Sequence, residues 1–541
     1  MTLDQRGGRI SDPVHGYVHF TWIEREILNQ RIAQRLRYIS QNGLAHLVFP
    51  EVRTSRFTHS LGAMHLSSEF LAACFRNSNM EVRKELGEAI KKAVHKIAGD
   101  ISDPEDAVRS FPAEALKAVN YCNHEFRPYV LLAEQALRLA ALFHDLGHLP
   151  YSHDFENSIE DFWLELPNDD KERSPFRKVV EQGRGQMKIR ERIGHELAWI
   201  LLRALFSDLK SEPNGEAIRL SFQFARNILE ESVLTPNVDA TDAVFQWLHT
   251  LIDGELDVDR CDYILRDGRN HGFEFAAYDL ARLIDNLIVG RKDGSFVLAI
   301  KPQGLSAVET FLVSRFRSYQ YGIRHHKVAQ VGAALRYSIS RILADTLNAQ
   351  NKKLTKFAED LSQTVDASAV SLTKAKGAEL LHAFADYDDI WWTELMRERS
   401  RSDPDEWLQL VCWRKAGPKS LWKRTGEFAG ELKKWNQNLP KSSDLEAQLQ
   451  WSEAVSDLKK PGVLVVRHHF SPWIADPVSR HSLLSVQQNH DKLEPVSKLS
   501  PLVYSLVDAW MSDIQVQAFC KSDVNISKEK VIERLTISGG V

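Results

Sequence analysis

The chain has 541 residues, 43% of them hydrophobic and 26% charged, with a formal net charge of −4 at pH 7. That balance is ordinary for a globular protein and excludes a global basic field, so any nucleic-acid contact must come from a local patch. The five cysteines are scattered, no run reaches membrane-spanning length and the first residues lack a signal-like apolar segment, so a soluble protein of the reducing cytoplasm is expected, with no disulfide framework and no zinc ribbon.

Residues 1–20 read as a short extended arm, with Asp12-Pro13 and Gly16 as turn signals and YVHF alternating. From Thr21, Ile23, Ile27, Leu28, Ile32, Leu36 and Ile39 form the apolar stripe of a helix that ends near Asn42-Gly43. Arg31, Arg35 and Arg37 fall on its solvated side, with a phosphate role left open. In Arg53–Leu66, RTSRFTHSLGAMHL, Thr58 or Ser60 is expected to cap a helix running to Phe75, which places His59 at a helix N-terminus beside Arg56. A charged helical stretch follows from residue 76, then a turn-rich break at Asp100–Pro112 and a further helix from Ala113.

Leu131–Phe143 has the three- and four-residue spacing of a buried helix, and it delivers His144 and Asp145 at the point where Gly147 and Pro150 break it. Adjacent His and Asp side chains at a helix end can converge on one divalent cation, and His148 lies over the same face. A lone buried histidine is usually a hydrogen-bonded core residue. His144, Asp145, His148 and His153 within one short stretch are too costly to bury without a purpose, which marks a site.

The span 157–192 reads as a polar insert in a surface loop, marked by Pro167-Asn168, Ser174-Pro175 and Gly183–Gly185. A helix opening IGHELAWILLRALF follows, with His195-Glu196 in its first turn. In Gly254–Gly272 the carboxylates of Asp257, Asp259, Asp262 and Asp267 interleave with Arg260, Arg266 and Arg269 on a partly buried helix. That pattern suits a paired network or a metal–phosphate site. Residues 285–300 form a hairpin on Asp293-Gly294, the only strong strand signal. Leu305–Lys327 returns to helix. Its Arg315, Arg317, Arg324, His325-His326 and Lys327, interleaved with Tyr319 and Tyr321, form a positive patch suited to nucleic acid or to a triphosphate. Residues 336–541 read as mostly helical, with Trp391-Trp392, Trp407, Trp413, Trp422 and Trp435 as core or interface anchors. Charged connectors lie near 351–375, 396–406 and 436–460, and VLVVRHHFSPW at 463–473 reads as a strand leading into a turn.

With these residues in hand the sequence resembles the HD-domain superfamily and, more narrowly, its deoxynucleoside triphosphate triphosphohydrolases. DPVHG, RLRYISQNG, SRFTHSLG, FHDLGHLPYSH, the GHE at Gly194 and LDVDRCDYILRD match successive signature blocks in order over roughly residues 10–330, with an echo at 413–427. The resemblance implies an all-α fold: an HD-domain helical core at 1–335 with inserts at about 76–130 and 157–192, a small β-hairpin, and a helical regulatory or oligomerisation region at 336–541.

It also implies metal ligands His59, His144, Asp145 and Asp259 for a divalent ion, with Mn, Fe, Ni, Zn and Mg all open. His148, His153 and His195 match the active-site histidines, His195 being favoured to protonate the leaving 5′-oxygen while Glu156 tunes its neighbour. Arg56, Arg260, Lys327 and one of Arg315 or Arg317 would clamp the triphosphate, and Asp267 and Tyr263 would hold the 3′-hydroxyl. Gln41 would contact sugar and base. Asn42 stands where relatives carry a small apolar residue, so strict deoxyribose selection is not implied; Asn29 likewise replaces an aspartate that contacts an activating guanine in some relatives.

The leading expectation is a metal-dependent dNTP triphosphohydrolase, a nucleotide-regulated homo-oligomer with a role in antiviral defence and no membrane partner. Two alternatives stand beside it. One is an HD phosphohydrolase acting on nucleoside monophosphates, cyclic dinucleotides or alarmones. The other is a non-catalytic nucleotide-sensing or nucleic-acid-binding module, nucleic acid being otherwise a secondary partner.

Overall fold

The computed structural model describes residues 7–99, 104–109, 115–183, 188–206, 215–230, 242–347, 351–366, 373–415, 417–423, 455–460, 462–467, 484–488, 492–512 and 516–537. Gly185, Trp435, most of the 436–460 connector and the turn expected after residue 467 lie outside them.

The arm at the start is a hairpin. Strands β1 (Gly8–Asp12) and β2 (Gly16–Phe20) pair antiparallel, and Gly16 takes a φ of 73° in the turn. Thr21 then caps α1 (Trp22–Leu28) in a capping box with Glu24. The long helix expected from Thr21 is instead α1, α2 (Arg31–Arg35) and a 3-10 turn at Leu36–Tyr38. Asn29 ends α1, and the Gln34 amide donates across the break to Leu28 O at 2.5 Å. The break re-aims Arg35, which is buried rather than solvated. Its guanidinium donates to Tyr387 O at 2.7 Å and His148 O at 2.6 Å.

α3 (Arg56–Asn77) is capped by Ser55, not by Thr58 or Ser60. α4 (Met80–Ala98) and the short α5 (Pro104–Arg109) follow. Ala113, the expected start of a helix, lies outside the described residues; from residue 115 the chain forms 3-10 turns until α6 (Arg127–Phe143), where Pro128 accepts the first-turn position. α6 is buried nearly throughout and packs along α3. Each of its buried leucines contributes about 1.5–3 kcal/mol. Its buried charges are paired, Arg138 gripping Glu24 at 2.7 and 2.8 Å.

The described residues of the 157–192 span are mostly helical, as α7 (His153–Glu165), α8 (Asn168–Arg173) and α9 (Arg177–Gly183), because Phe176, Val179 and Val180 bury themselves against the core. α10 (Ile189–Phe206) places His195 in its second turn rather than its first. Next come α11 (Gly215–Leu229), α12 (Asp242–Ile252), α13 (Val258–His271, capped by Asp257) and α14 (Leu280–Asp285).

Strands β3 (Leu287–Lys292) and β4 (Ser295–Ile300) turn on Asp293 and Gly294, both at positive φ. α15 (Leu305–Arg317) stops at a π-turn over Ser318–Ile323, and Lys327 lies on the next helix, α16 (His326–Leu343), which runs across residue 335. α17 (Lys352–Asp366), α18 (Lys374–Phe384), α19 (Asp389–Ser402) and α20 (Glu406–Trp413) follow, and α21 (Val496–Leu499), α22 (Pro501–Ser512) and α23 (Lys528–Ile537) lie further on among short strands.

The C-terminal region holds more strand than expected. β5 (Lys419–Ser420), β6 (Val463–Arg467) and β9 (Val516–Cys520) form one antiparallel sheet in the order β5-β9-β6. β7 (Ser485–Gln487) and β8 (Leu493–Pro495) extend the β3–β4 hairpin, β7 lying parallel to β4. Trp392, Trp407 and Trp422 are buried core, whereas Trp413 is 52% exposed. The fold is nonetheless a helical core with small sheets.

Candidate metal centre and active site

Three segments distant in sequence meet at the end of α6. α3 brings His59, the α6 terminus brings His144 and Asp145, and the first turn of α13 brings Asp259. His59 Nε2 lies 2.8 Å from Asp259 Oδ1 and 3.5 Å from Asp145 Oδ2; His144 Nε2 lies 3.5 Å from Asp145 Oδ1 and 3.8 Å from Asp259 Oδ1. The other nitrogen of each ring is tied elsewhere. His59 Nδ1–H donates to Asp262 Oδ2 at 2.8 Å, and His144 Nδ1–H donates to Ala141 O at 2.6 Å. Both tautomers are thereby fixed with Nε2 toward the carboxylates, where it is buried without a well-directed hydrogen bond.

The charge balance fits a cation. Burial alone would lower the His59 pKa, but Asp259 and Asp262 beside it push it up to about 10. Burial would likewise raise Asp145, yet Arg56 at 2.8 Å holds it well below the usual carboxylate range. His59, His144 and Asp259 offer ligand atoms within 4.8 Å of one another. Two imidazoles and two carboxylates are a donor set for a first-row divalent ion or Mg, and the residues present fit one.

Beside this centre stands a second group. His148 Nε2 is 3.0 Å from Asp145 Oδ1, its Nδ1 is 3.8 Å from Glu156 Oε1, and Glu156 Oε2 is 3.9 Å from His153 Nδ1. The His153 side chain is 56% exposed while His148 and Glu156 are buried. Arg190 on α10 donates to Glu156 Oε2 at 3.2 Å. Burial would raise the Glu156 pKa, but Arg190, His153 and His148 around it hold it well below the usual carboxylate range. His195 is not joined to this group by any hydrogen bond among the described residues. Its Nδ1 faces Glu196 at 3.9 Å. Its helix is held close because Gly147 meets the backbone of Arg190 and Gly194.

The remaining expected residues divide. Arg56 is buried and donates to Asp145, to Ser152 Oγ at 3.0 Å and to Gln41 O at 3.5 Å. Asp267 accepts from Thr54 Oγ1 at 3.1 Å, with the Asn42 side chain beside it, and burial raises its pKa. Tyr263 and Tyr319 place their hydroxyls 3.4 Å apart. Arg315 is buried near them, its pKa lowered to about 9 by burial, with Nη1 donating to Glu255 O at 3.3 Å. Arg260 turns to Asp253, Gly254 and Asp257. Lys327 is set apart: it donates to Gln330 at 2.9 Å, beside the positive charges of Arg414 and Lys423.

Sequence reasoning gives no site role to His15 or Arg190, and it places Asp262 only within the interleaved Asp–Arg pattern of a paired network or a metal–phosphate site, with no role of its own. The DPVHG turn was the available signal for His15. Nothing local pointed to Arg190.

No family model matches the chain. Curated relatives include an uncharacterised protein of Methanocaldococcus jannaschii, 23% identical over 368 residues covering 68% of this chain and 54% of that protein. The deoxynucleoside triphosphate triphosphohydrolase SAMHD1 of Gallus gallus is 25% identical over 289 residues, covering 51% of this chain and 35% of that enzyme. Among solved structures, a phosphohydrolase from Bacteroides thetaiotaomicron superposes with a TM-score of 0.53 at 17% identity, covering 95% of this chain and 100% of that one. The chain shares the fold of that phosphohydrolase, and in this fold His144 and Asp145 stand side by side at a helix end. The relatives thus include a putative HD domain-containing protein of Acanthamoeba polyphaga mimivirus, 22% identical over 284 residues, beside SAMHD1 enzymes, all at low identity. The chain spans about half the length of the first curated relatives it matches. None of its described helices is long and apolar enough to cross a membrane.

Proposed function

We propose that the chain is a metal-dependent phosphohydrolase that splits deoxynucleoside triphosphates into deoxynucleoside and inorganic triphosphate. The observation that carries this reading is the pair of imidazoles, His59 and His144, each tied through Nδ1 so that Nε2 converges with Asp145 and Asp259. A divalent ion held there would polarise a phosphoryl oxygen and lower the pKa of a bound water. The chain's own groups do the rest. Arg56 and Arg315 supply guanidinium groups for the phosphates. Asp267 and Tyr263 orient the sugar, with Gln41 against sugar and base. His153, the most open of the site histidines, gives a proton to the leaving 5′-oxygen while Glu156 and Arg190 hold its setting, a contribution of about 10²–10⁴ in rate. His195 remains in the proposal as the alternative donor, and Arg260 and Lys327 as phosphate ligands that would have to swing from their present partners. Nucleotide activation, homo-oligomer assembly and antiviral use extend the same reading.

A second substrate range is favoured by one feature. The polar Asn42 beside Asp267 can accept a 2′-hydroxyl, which suits ribonucleotides as well. Chromatography of products from the eight common NTPs and dNTPs, with Mn or Mg and a second nucleotide, separates these readings. Inorganic triphosphate is expected from wild-type protein and none from His144→Ala with Asp145→Ala. Monophosphate or pyrophosphate products, or no turnover of any nucleotide, would overturn the proposal.

A further inference from the structure

The N-terminal hairpin reaches the metal centre from behind. Asp262 is fully buried on α13 and accepts four donors: His59 Nδ1–H at 2.8 Å, His15 Nε2–H at 2.7 Å, and Arg266 Nε and Nη2 at 2.9 and 2.7 Å. The His15 side chain is only 3% exposed although its turn lies at the surface. The turn is built to present it. Asp12 Oδ1 accepts the backbone N–H of Val14 and His15 at 2.8 and 2.9 Å, and Gly16 takes the left-handed conformation that lets the chain reverse. Arg266 clamps both sides of the junction, donating to Asp12 Oδ2 at 2.7 Å while it holds Asp262. Arg269 closes on Pro13 O. Helix α3 makes room at Gly62, where a Cβ would overlap the Asp262 carboxylate.

We propose that His15 and Asp262 are positioning residues for the metal: the hairpin imidazole and the α13 carboxylate together hold His59 with its proton on Nδ1 and its Nε2 turned to the cation. This rests on the metal reading of the site. A carboxylate behind a ligating imidazole fixes ring orientation and raises ligand basicity, and losing such a partner typically costs 10–100-fold in metal affinity. Without His15, Asp262 retains its charge and both Arg266 bonds but loses the donor that balances the pull of Arg266. The carboxylate then moves off His59. Coupling of this kind is reciprocal, so an ion bound at His59 must tighten hairpin docking by the same factor.

The test is titration of the metal-free 541-residue chain with Zn(II) and with Mn(II) against a chelating competitor, on wild type, His15→Gln, His15→Asn, His15→Leu and His144→Ala. The Gln amide reaches where His15 Nε2 stands, and the shorter Asn amide does not. Zn(II) and Mn(II) affinity is expected to fall about tenfold or more in His15→Leu and His15→Asn and to recover in His15→Gln. Hydrogen exchange of the Gly8–Phe20 amides should slow on metal binding in wild type by a matching factor. Tyr17→Ala, at an exposed hairpin position, should bind as wild type does.

If His15→Leu fails to fold, the Gln–Asn comparison and the wild-type exchange data decide the matter. Equal affinities for wild type, His15→Asn and His15→Gln, with hairpin exchange indifferent to metal, would overturn the inference. Retention of wild-type metal binding by His144→Ala would instead overturn the metal centre itself, and the two failures are thereby distinct.

Discussion

Asp145 illustrates how tightly the site's charges depend on one another. Its carboxylate faces Arg56, His148, His59 and His144 within 2.8 to 3.5 Å, and both it and Arg56 are buried. Removing one member of a buried pair leaves the other uncompensated, which costs about 3–5 kcal/mol, whereas removing both costs far less. Asp145→Ala in the metal-free protein is therefore expected to lose roughly that much stability in denaturant unfolding. Asp145→Ala with Arg56→Leu should recover most of it. A single variant within about 1 kcal/mol of wild type would mean that water already reaches Arg56. At this scale the sequence was informative where chemistry is local: His144, Asp145 and His148 are neighbours on one helix end, so their convergence follows from spacing. The pairing of His15 with Asp262 was not legible, because 247 residues separate them and only the folded hairpin turn brings them together.

Among elements, the loop after α6 is held by backbone contact rather than by side chains. At Gly147 a Cβ would overlap Arg190 O and Gly194 N, and backbone atoms cannot step aside as a flexible side chain can. Gly147→Ala is therefore expected to displace α10, lower the melting temperature by several degrees and reduce turnover at least tenfold by moving Arg190 and His195. Gly294→Ala offers the contrast. Its φ is 80° with open space around it, so it should cost about 1 kcal/mol and leave turnover intact. Equal effects of the two substitutions on turnover would refute the packing argument. The β3–β4 hairpin was readable because Asp-Gly dictates its own turn. The β5-β9-β6 sheet was not, since β5 is two residues long and pairs with a strand about a hundred residues away. The break between α1 and α2 was hidden by an apolar stripe that continues across it.

Across the whole molecule, the C-terminal half reaches back to brace the His–Asp loop. Arg35 bridges Tyr387 O to His148 O, and Asp389 at the start of α19 accepts Ser40 N–H at 2.9 Å, Ser40 Oγ–H at 2.6 Å and Tyr151 N–H at 2.7 Å. Tyr151 and Ser152, both at positive φ, need such bracing, and Ser152 in turn receives Arg56. Burial pushes the Asp389 carboxyl up to about 6, with Asp388 beside it adding to the effect against the donors of Ser40 and Tyr151; Arg35 is the nearby positive group. A carboxyl whose folded pKa exceeds its unfolded value of about 3.9 binds more protons when folded. Its contribution to stability is thus complete below pH 4 and is lost as pH rises through 6. From pH 4.5 to 7.5 that loss is about 2 kcal/mol. Histidines titrate in the same window, so the informative quantity is the difference between wild type and Asp389→Asn. Denaturant unfolding at both pH values should show the wild-type advantage shrinking by about 2 kcal/mol toward pH 7.5, whereas parallel stability curves would mean that Asp389 is already ionised throughout and the brace carries no proton.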